Sequence, residues 1–215
     1  NGTKGLIIDL RDNPGGWVND AQSIADIFLD KGTLCYLQYK NGERYYYRTK
    51  DGKVEMQLVI LVNENSASSS EILTGALRDR ANATVVGKKT YGKGIVQSVV
   101  PLSDGSGMQI TVAQYYTPNG YAVHKQGITP DVEVDGDNGM YELGDLTDAQ
   151  LAKALEVMQE KLAELHTKTY RKRIPVVICY EGWDAAGKGG NIRRLAYPLD
   201  PRGFDVIPIA SPTPG

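Results

Sequence analysis

Two short apolar runs, each stopped by polar turn residues, most constrain how this chain folds. Leu6-Ile7-Ile8-Asp9-Leu10 leads into Asn13-Pro14-Gly15-Gly16, and Leu58-Val59-Ile60-Leu61-Val62 leads into a serine-rich turn. Runs this short, apolar on consecutive residues and closed by Gly, Pro and Asn, read as buried strands feeding loops. Between them, residues 18–29 place Ile24, Ile27 and Phe28 at helical spacing. After the second run, Ile72, Leu73, Ala76 and Leu77 mark one side of an amphipathic helix. Residues 33–39 and 44–48 are strand-like and meet at Asn41-Gly42, a strong hairpin signal. Residues 84–87 read as another strand and 90–94 as a glycine-punctuated loop. Residues 96–102 and 108–116 form strands around Asp104-Gly105-Ser106-Gly107. Alternating strands and helices of this kind predict a layered α/β core.

Further along, Thr147-Asp148-Ala149-Gln150 has the form of a capping box and predicts a helix start. Leu151, Leu155, Met158, Leu162 and Leu165 then recur as a short heptad-like stripe, expected to dock on a neighbouring surface. Past Arg173 the pattern changes to an apolar strand at 175–180, a glycine-rich loop, a basic helical stretch and a second apolar run at 206–210. With 41% hydrophobic and 23% charged residues, the 215-residue chain can bury a core, and its net charge of −2 gives no electrostatic basis for binding nucleic acid. Cys35 and Cys179 are distant and sit in apolar stretches, so both are expected to be buried thiols rather than metal ligands. No run of residues is long and apolar enough to span a membrane. The chain opens Asn1-Gly2-Thr3 without Met, the expected look of a fragment of a longer reading frame.

Two segments carry candidate chemistry in the first part. Ser66-Ala67-Ser68-Ser69-Ser70-Glu71 lies between a strand and a helix, where helix N-terminal N–H groups suit a developing oxyanion. The same Ser68-x-x-Glu71 spacing also makes a good helix cap. Gly92-Lys93-Gly94 places a lysine between two glycines at a strand edge, with Gln97 four residues on. A lysine is a general base only when neutral. Its ordinary pKa of about 10.4 must fall to near 7, at a cost of about 4 kcal/mol, and a dry pocket can supply that. Gln97 could hold the neutral amine. His124, after a Pro-Asn-Gly turn, is the rival base for a Ser–His arrangement. His166 falls on the later helix.

In order and spacing, residues 6–16, 66–72, 92–97, Tyr115-Tyr116-Thr117-Pro118 and Gly127-Ile128-Thr129-Pro130-Asp131 resemble the successive signatures of carboxyl-terminal processing (tail-specific) serine peptidases. The resemblance implies a ClpP/crotonase-like core and cleavage of proteins near their C-termini, with no cofactor. It implies Ser68 as nucleophile, Lys93 as base and Gln97 as its orienter. It further implies an oxyanion hole from the N–H groups of Ser69 and of the Gly15-Gly16 turn. Lys88 and Lys89 do not match the catalytic position. Protein or peptide C-terminal tails are the implied partners, and an extracytoplasmic or periplasmic setting the implied location. The PDZ domain that family members carry ahead of this core has no counterpart here.

Gly182-Trp183-Asp184-Ala185-Ala186-Gly187-Lys188 has P-loop form, although Gly189 stands where Ser or Thr usually binds Mg²⁺ through its hydroxyl. With Tyr180-Glu181 ahead and Gly189 to Arg194 and Asp200-Pro201-Arg202-Gly203-Phe204 behind, it resembles the start of polyphosphate kinases of the second type, from about Leu162 onward. That resemblance implies phosphate binding by Gly182, Gly187 and Lys188, with Asp184 near the metal. Mg²⁺ and polyphosphate or nucleotide would be ligands only of a complete kinase. The expected organisation is a peptidase core at 1–145, a linking helix at 146–168 and an incomplete P-loop unit at 169–215, joined by a natural fusion, a mis-assembled gene or a deliberate chimera, of which an artefactual join is favoured. The alternative reading is a phosphate-binding kinase fragment carrying an inactive peptidase fragment.

Overall fold

The computed structural model describes residues 5–51, 54–136, 144–173 and Leu199. Two compact units divide the chain, Asn1–Leu155 and Glu156–Gly215. The first holds β1 (Gly5–Asp9), α1 (Val18–Phe28), β2 (Gly32–Tyr39), β3 (Arg44–Thr49), β4 (Gln57–Val62) and α2 (Ser69–Ala81). Next come β5 (Thr84–Gly87), β6 (Ile95–Pro101), β7 (Gly107–Tyr116) and β8 (Val132–Glu133). A long helix, α3 (Ala149–Arg171), starts in the first unit and makes up most of what is described of the second. Among the described residues no helix is long and apolar enough to cross a membrane.

The strands form two four-stranded sheets, β1-β4-β5-β8 and β3-β2-β7-β6. The first is parallel, with Ile8 opposite Ile60 and Ile60 opposite Val85. Parallel strands covered on both faces are apolar at successive residues, and β4 obeys: Val59, Ile60, Leu61 and Val62 are all fully buried. β1 carries the same kind of sequence but lies at the sheet edge, so Leu6 is 37% exposed and of its apolar run only Leu10 is buried. The second sheet is antiparallel and includes the hairpin at Asn41-Gly42, closed by the Tyr39 N–H to the Glu43 carbonyl at 2.9 Å. β8, two residues long, has no sequence signature.

α2 runs through the core. From Ser69 to Leu77 every residue is buried, polar ones included, so the helix is enclosed all round rather than one-sided. It ends at Asn82, in the left-handed conformation (φ +52°) that suits a short amide side chain. α1 packs against α2 and buries Ala21, Ala25 and Phe28, whereas Ile24 and Ile27 are 41% and 49% exposed. The expected Ile24–Ile27 face is therefore turned outward.

α3 starts one residue later than its capping-box pattern suggests. The Asp148 carboxylate accepts the N–H groups of Gln150 (3.0 Å) and Leu151 (3.2 Å), while the Thr147 hydroxyl donates to Asp145. In its first turns the buried positions are Gln150 and Ala154; Leu151 and Leu155 are half-buried. Gln150 is buried because both ends of its amide are used. Arg11 donates to its oxygen (3.1 Å) and its nitrogen donates to the Val134 carbonyl (2.9 Å).

Candidate active site

The turn from β4 into α2 is pinned by its serines, each in a different way. The Ser66 hydroxyl donates to the Leu10 carbonyl (2.7 Å) and Ser70 to the Asn13 carbonyl (3.1 Å). The Ser69 hydroxyl accepts the Gly16 N–H at 2.6 Å. Ser68 is half-buried, and among the described residues its hydroxyl donates to no carbonyl. It occupies the cap position of α2 with φ +57° and ψ −119°. A non-glycine residue held there costs about 1–3 kcal/mol, so its surroundings must enforce it. They do so through the N–H of Ser68, which donates to Glu71 Oε2 at 2.9 Å, and its carbonyl, which accepts from the Tyr115 hydroxyl at 3.0 Å.

The loop after β1 closes over this corner. The Ala67 N–H donates to the Asn13 carbonyl at 3.1 Å. Gly15 (φ +91°) lies so close that a Cβ there would come within 2.5 Å of the Ala67 oxygen and 2.8 Å of the Ser69 nitrogen. Glycine is required both for the conformation and for the approach. The proposed oxyanion donors are thus gathered at one point, but two are already engaged: Gly15 N–H by Asn13 Oδ1 (2.9 Å) and Gly16 N–H by Ser69. Ser69 N–H, in the first turn of α2, has no intrahelical acceptor by position.

Lys93 stands on the loop between β5 and β6. Thr90 and Ile128 hold one end of this loop (Thr90 N–H to Ile128 carbonyl, 3.1 Å), and Tyr91 N–H donates to the Ser66 carbonyl at 3.0 Å. At Gly94 a Cβ would meet the backbone of His124 at 2.3 Å, so the lysine is flanked closely by the 123–127 segment. The Lys93 side chain is exposed, and among the described residues no carboxylate pairs with its amine. The dry pocket expected around it is an open cleft of about 920 Å³ instead, lined by Asp12, Asn65, Tyr91, Lys93, His124 and Lys125. Gln97, beyond a bulge in β6, accepts from the Gln109 amide at 3.1 Å. Lys88 pairs with Glu133 and Asp135, away from the cleft lining.

The cleft also holds the rival base His124 and one residue that sequence did not single out, Asp12. His124 comes into the cleft beside Lys93, half-buried, and its Nδ1 is enclosed without a hydrogen-bond partner among the described residues. Asp12 (φ +55°) is clamped by the amides of Asn65 (2.8 Å) and Asn63 (2.9 Å), which hold its carboxyl below the usual carboxylate range. Only the Asp-Asn-Pro-Gly-Gly composition of its loop hinted at such a turn. Among the described residues no three His, Cys, Asp or Glu side chains are grouped to hold a metal ion. The phosphate-loop residues Gly182, Asp184, Gly187 and Lys188, and Cys179, lie outside the described residues.

Residues 1–134 match Peptidase family S41, and residues 145–214 match Polyphosphate kinase 2 (PPK2). The carboxyl-terminal-processing protease of Synechocystis sp. is 40% identical over 169 residues, 77% of this chain and 39% of that protein. The chloroplastic C-terminal processing peptidase of Tetradesmus obliquus is 41% identical over 136 residues, 62% of this chain and 29% of its own length. The solved structure of a photosystem II D1 C-terminal processing protease superposes with a TM-score of 0.60 at 41% identity, over 62% of this chain and 35% of that one. The chain therefore spans well under half the length of these relatives. The Synechocystis likeness is too long to fit within residues 1–145, so it runs into α3 and overlaps the segment that matches the kinase. By its match over most of the chain, this protein belongs to peptidase family S41.

Proposed function

We propose that the first unit is the catalytic core of a serine peptidase that cuts proteins near their C-termini, with Ser68 as nucleophile and Lys93 as base. The observation that carries this reading is a convergence. The N–H groups of Ser68 and Lys93 both bond to Glu71 Oε2 at 2.9 Å, so their nitrogens lie no farther apart than twice that length. A strained serine at a helix N-terminus, a glycine turn against its backbone and a lysine on the adjoining loop are the parts such chemistry needs.

In the proposed reaction, Ser68 Oγ attacks the scissile carbonyl and its proton passes to the Lys93 amine. The oxyanion is held by Ser69 N–H and by Gly16 N–H once the latter exchanges Ser69 Oγ for the substrate oxygen. Lys93 returns the proton to the departing amine, leaving an acyl group on Ser68, which water then removes by the same route. A peptide lying in the open cleft would cover Lys93 and supply the exclusion of water that a neutral amine needs. Gln97 could orient that amine after releasing Gln109. The parallel sheet with an enclosed helix is consistent with a ClpP/crotonase-like core, and an extracytoplasmic setting follows from the family resemblance.

The test is cleavage of a folded reporter protein bearing an unstructured C-terminal tail. The full chain should shorten the tail and Ser68→Ala should not; cleavage that persists in both Ser68→Ala and Lys93→Ala would refute the assignment. The match of residues 145–214 to the kinase family favours a second, separate reading, a phosphate-binding tail using Gly182, Asp184, Gly187 and Lys188. Polyphosphate binding unaffected by Lys188→Ala would refute that one.

A further inference from the structure

Glu71 is a fully buried carboxylate with no cation beside it among the described residues, and the reaction proposed above does not use it. Its lone pairs are filled from two separate parts of the chain. Oε2 accepts the N–H groups of Ser68 and Lys93, both at 2.9 Å, with the Tyr115 hydroxyl at 3.5 Å. Oε1 accepts the Thr90 hydroxyl at 2.5 Å and the Gly92 N–H at 2.8 Å. Thr90 is itself fixed, its hydroxyl oxygen accepting the Ile128 N–H at 2.7 Å. A helix cap accounts only for the bond to Ser68. The three bonds to Thr90, Gly92 and Lys93 come from a different loop and give the capped helix nothing.

We propose that Glu71 is a positioning residue that sets the nucleophile and the base relative to one another, acting on both through their backbones. The inference rests on the Ser68–Lys93 reading and deepens it. Ser68 and Lys93 stand on different elements, and their side chains meet productively only if the two backbones are in register. One ionised oxygen shared by both N–H groups imposes that register. Ionisation matters because each oxygen must accept twice. A carboxamide of the same length has one acceptor oxygen and one NH₂ donor. If its oxygen faces Ser68 and Lys93, the Gly92 N–H is left against a donor; if it is reversed, both site residues lose their partner. An aspartate keeps the charge but is one methylene too short to span from α2 to the Thr90–Lys93 loop.

The experiment uses the whole chain and a fluorophosphonate probe, with labelling of Ser68 followed against time and probe concentration and the folded fraction monitored by circular dichroism. Glu71→Gln should lower the maximal labelling rate about 100-fold, the size of effect expected from a displacement near 1 Å, with the probe's half-saturating concentration unchanged. Thr90→Ala, which leaves the helix cap untouched, should lower the rate about 10-fold, and Thr90→Ser should restore it by returning the hydroxyl. If Glu71→Gln fails to fold, the Thr90 pair decides alone. Folded Glu71→Gln labelling at the parent rate, or Thr90→Ala and Thr90→Ser behaving alike, would overturn the proposal. Absence of labelling in the parent chain, or labelling that survives Ser68→Ala, would instead remove the peptidase reading and this inference with it.

Discussion

Removing the Asp148 side chain should loosen the first unit more than its place at a helix start suggests. Asp148 is 3% exposed and does two jobs. One oxygen caps α3 by accepting from Gln150 and Leu151; the other pairs with Arg11 Nη2 at 2.7 Å. A lost cap costs about 1 kcal/mol, and a lost hydrogen bond between charged groups in a mostly buried setting about 1.5–3 kcal/mol. Arg11 keeps a second carboxylate, Asp9, at 2.7 Å. The cost should therefore stay below the 3–5 kcal/mol typical of orphaning a buried charge. Asp148→Ala should thus destabilise by about 3 kcal/mol, or about 6–12 °C in Tm for a unit of this size. Asp148→Asn keeps a good capping oxygen and should lose only the ionic share, about 2 kcal/mol.

The pH dependence has a definite sign. Burial pushes the Asp148 carboxyl up, but the Arg11 hydrogen bond and charge and the Leu151 and Gln150 N–H groups together hold it below its usual 3.8. A carboxyl lowered in the folded state stabilises above its unfolded pKa and ceases to do so as pH falls through the folded value. The gap between parent and Asp148→Asn should be full at pH 7 and close below 3.8. Urea unfolding of the three proteins from pH 7 to pH 3 measures this. A cost for Asp148→Ala under about 1 kcal/mol at pH 7 would refute the reasoning, because the cap alone accounts for that much.

Gly15→Ala should abolish labelling of Ser68 by a fluorophosphonate while the chain remains folded, since the added methyl displaces the Ala67–Ser69 backbone; labelling at the parent rate would show that this contact does not shape the site. Cys35 is buried and its thiol is pushed up to about 12 by burial, so in a Cys179→Ser background it should resist a thiol reagent at pH 8 until the chain is unfolded. Rapid modification in the native state would contradict the packing of β2.

Much of this site could be read from residue order because each part obeys a local rule. Strand β4, the Asn41-Gly42 hairpin and the Ser68–Glu71 start of α2 follow from run length, turn chemistry and capping. The misreadings share one cause, which is that position in the fold overrides local pattern. β1 has the composition of a central strand but lies at an edge, which exposes Leu6. In α1, Ile24 and Ile27 face outward while Ala21, Ala25 and Phe28 are buried. In α3 the buried polar Gln150 displaces the leucine stripe, since Arg11 and Val134 satisfy its amide. Glu71 looked like half of a capping box; its bonds to Thr90, Gly92 and Lys93 span the fold and have no signature in spacing. The family match to the kinase begins at residue 145, yet Asp148 and Gln150 are bonded into the peptidase unit, whose compact limit is Leu155.

The central claim is that Ser68 is activated by Lys93, and mass spectrometry of the fluorophosphonate adduct tests it most directly. The parent chain and His124→Ala should both carry the phosphonyl group on the peptide containing Ser68, and Lys93→Ala should carry none. An adduct that survives Lys93→Ala but is lost in His124→Ala would contradict the account and transfer the role of base to the histidine.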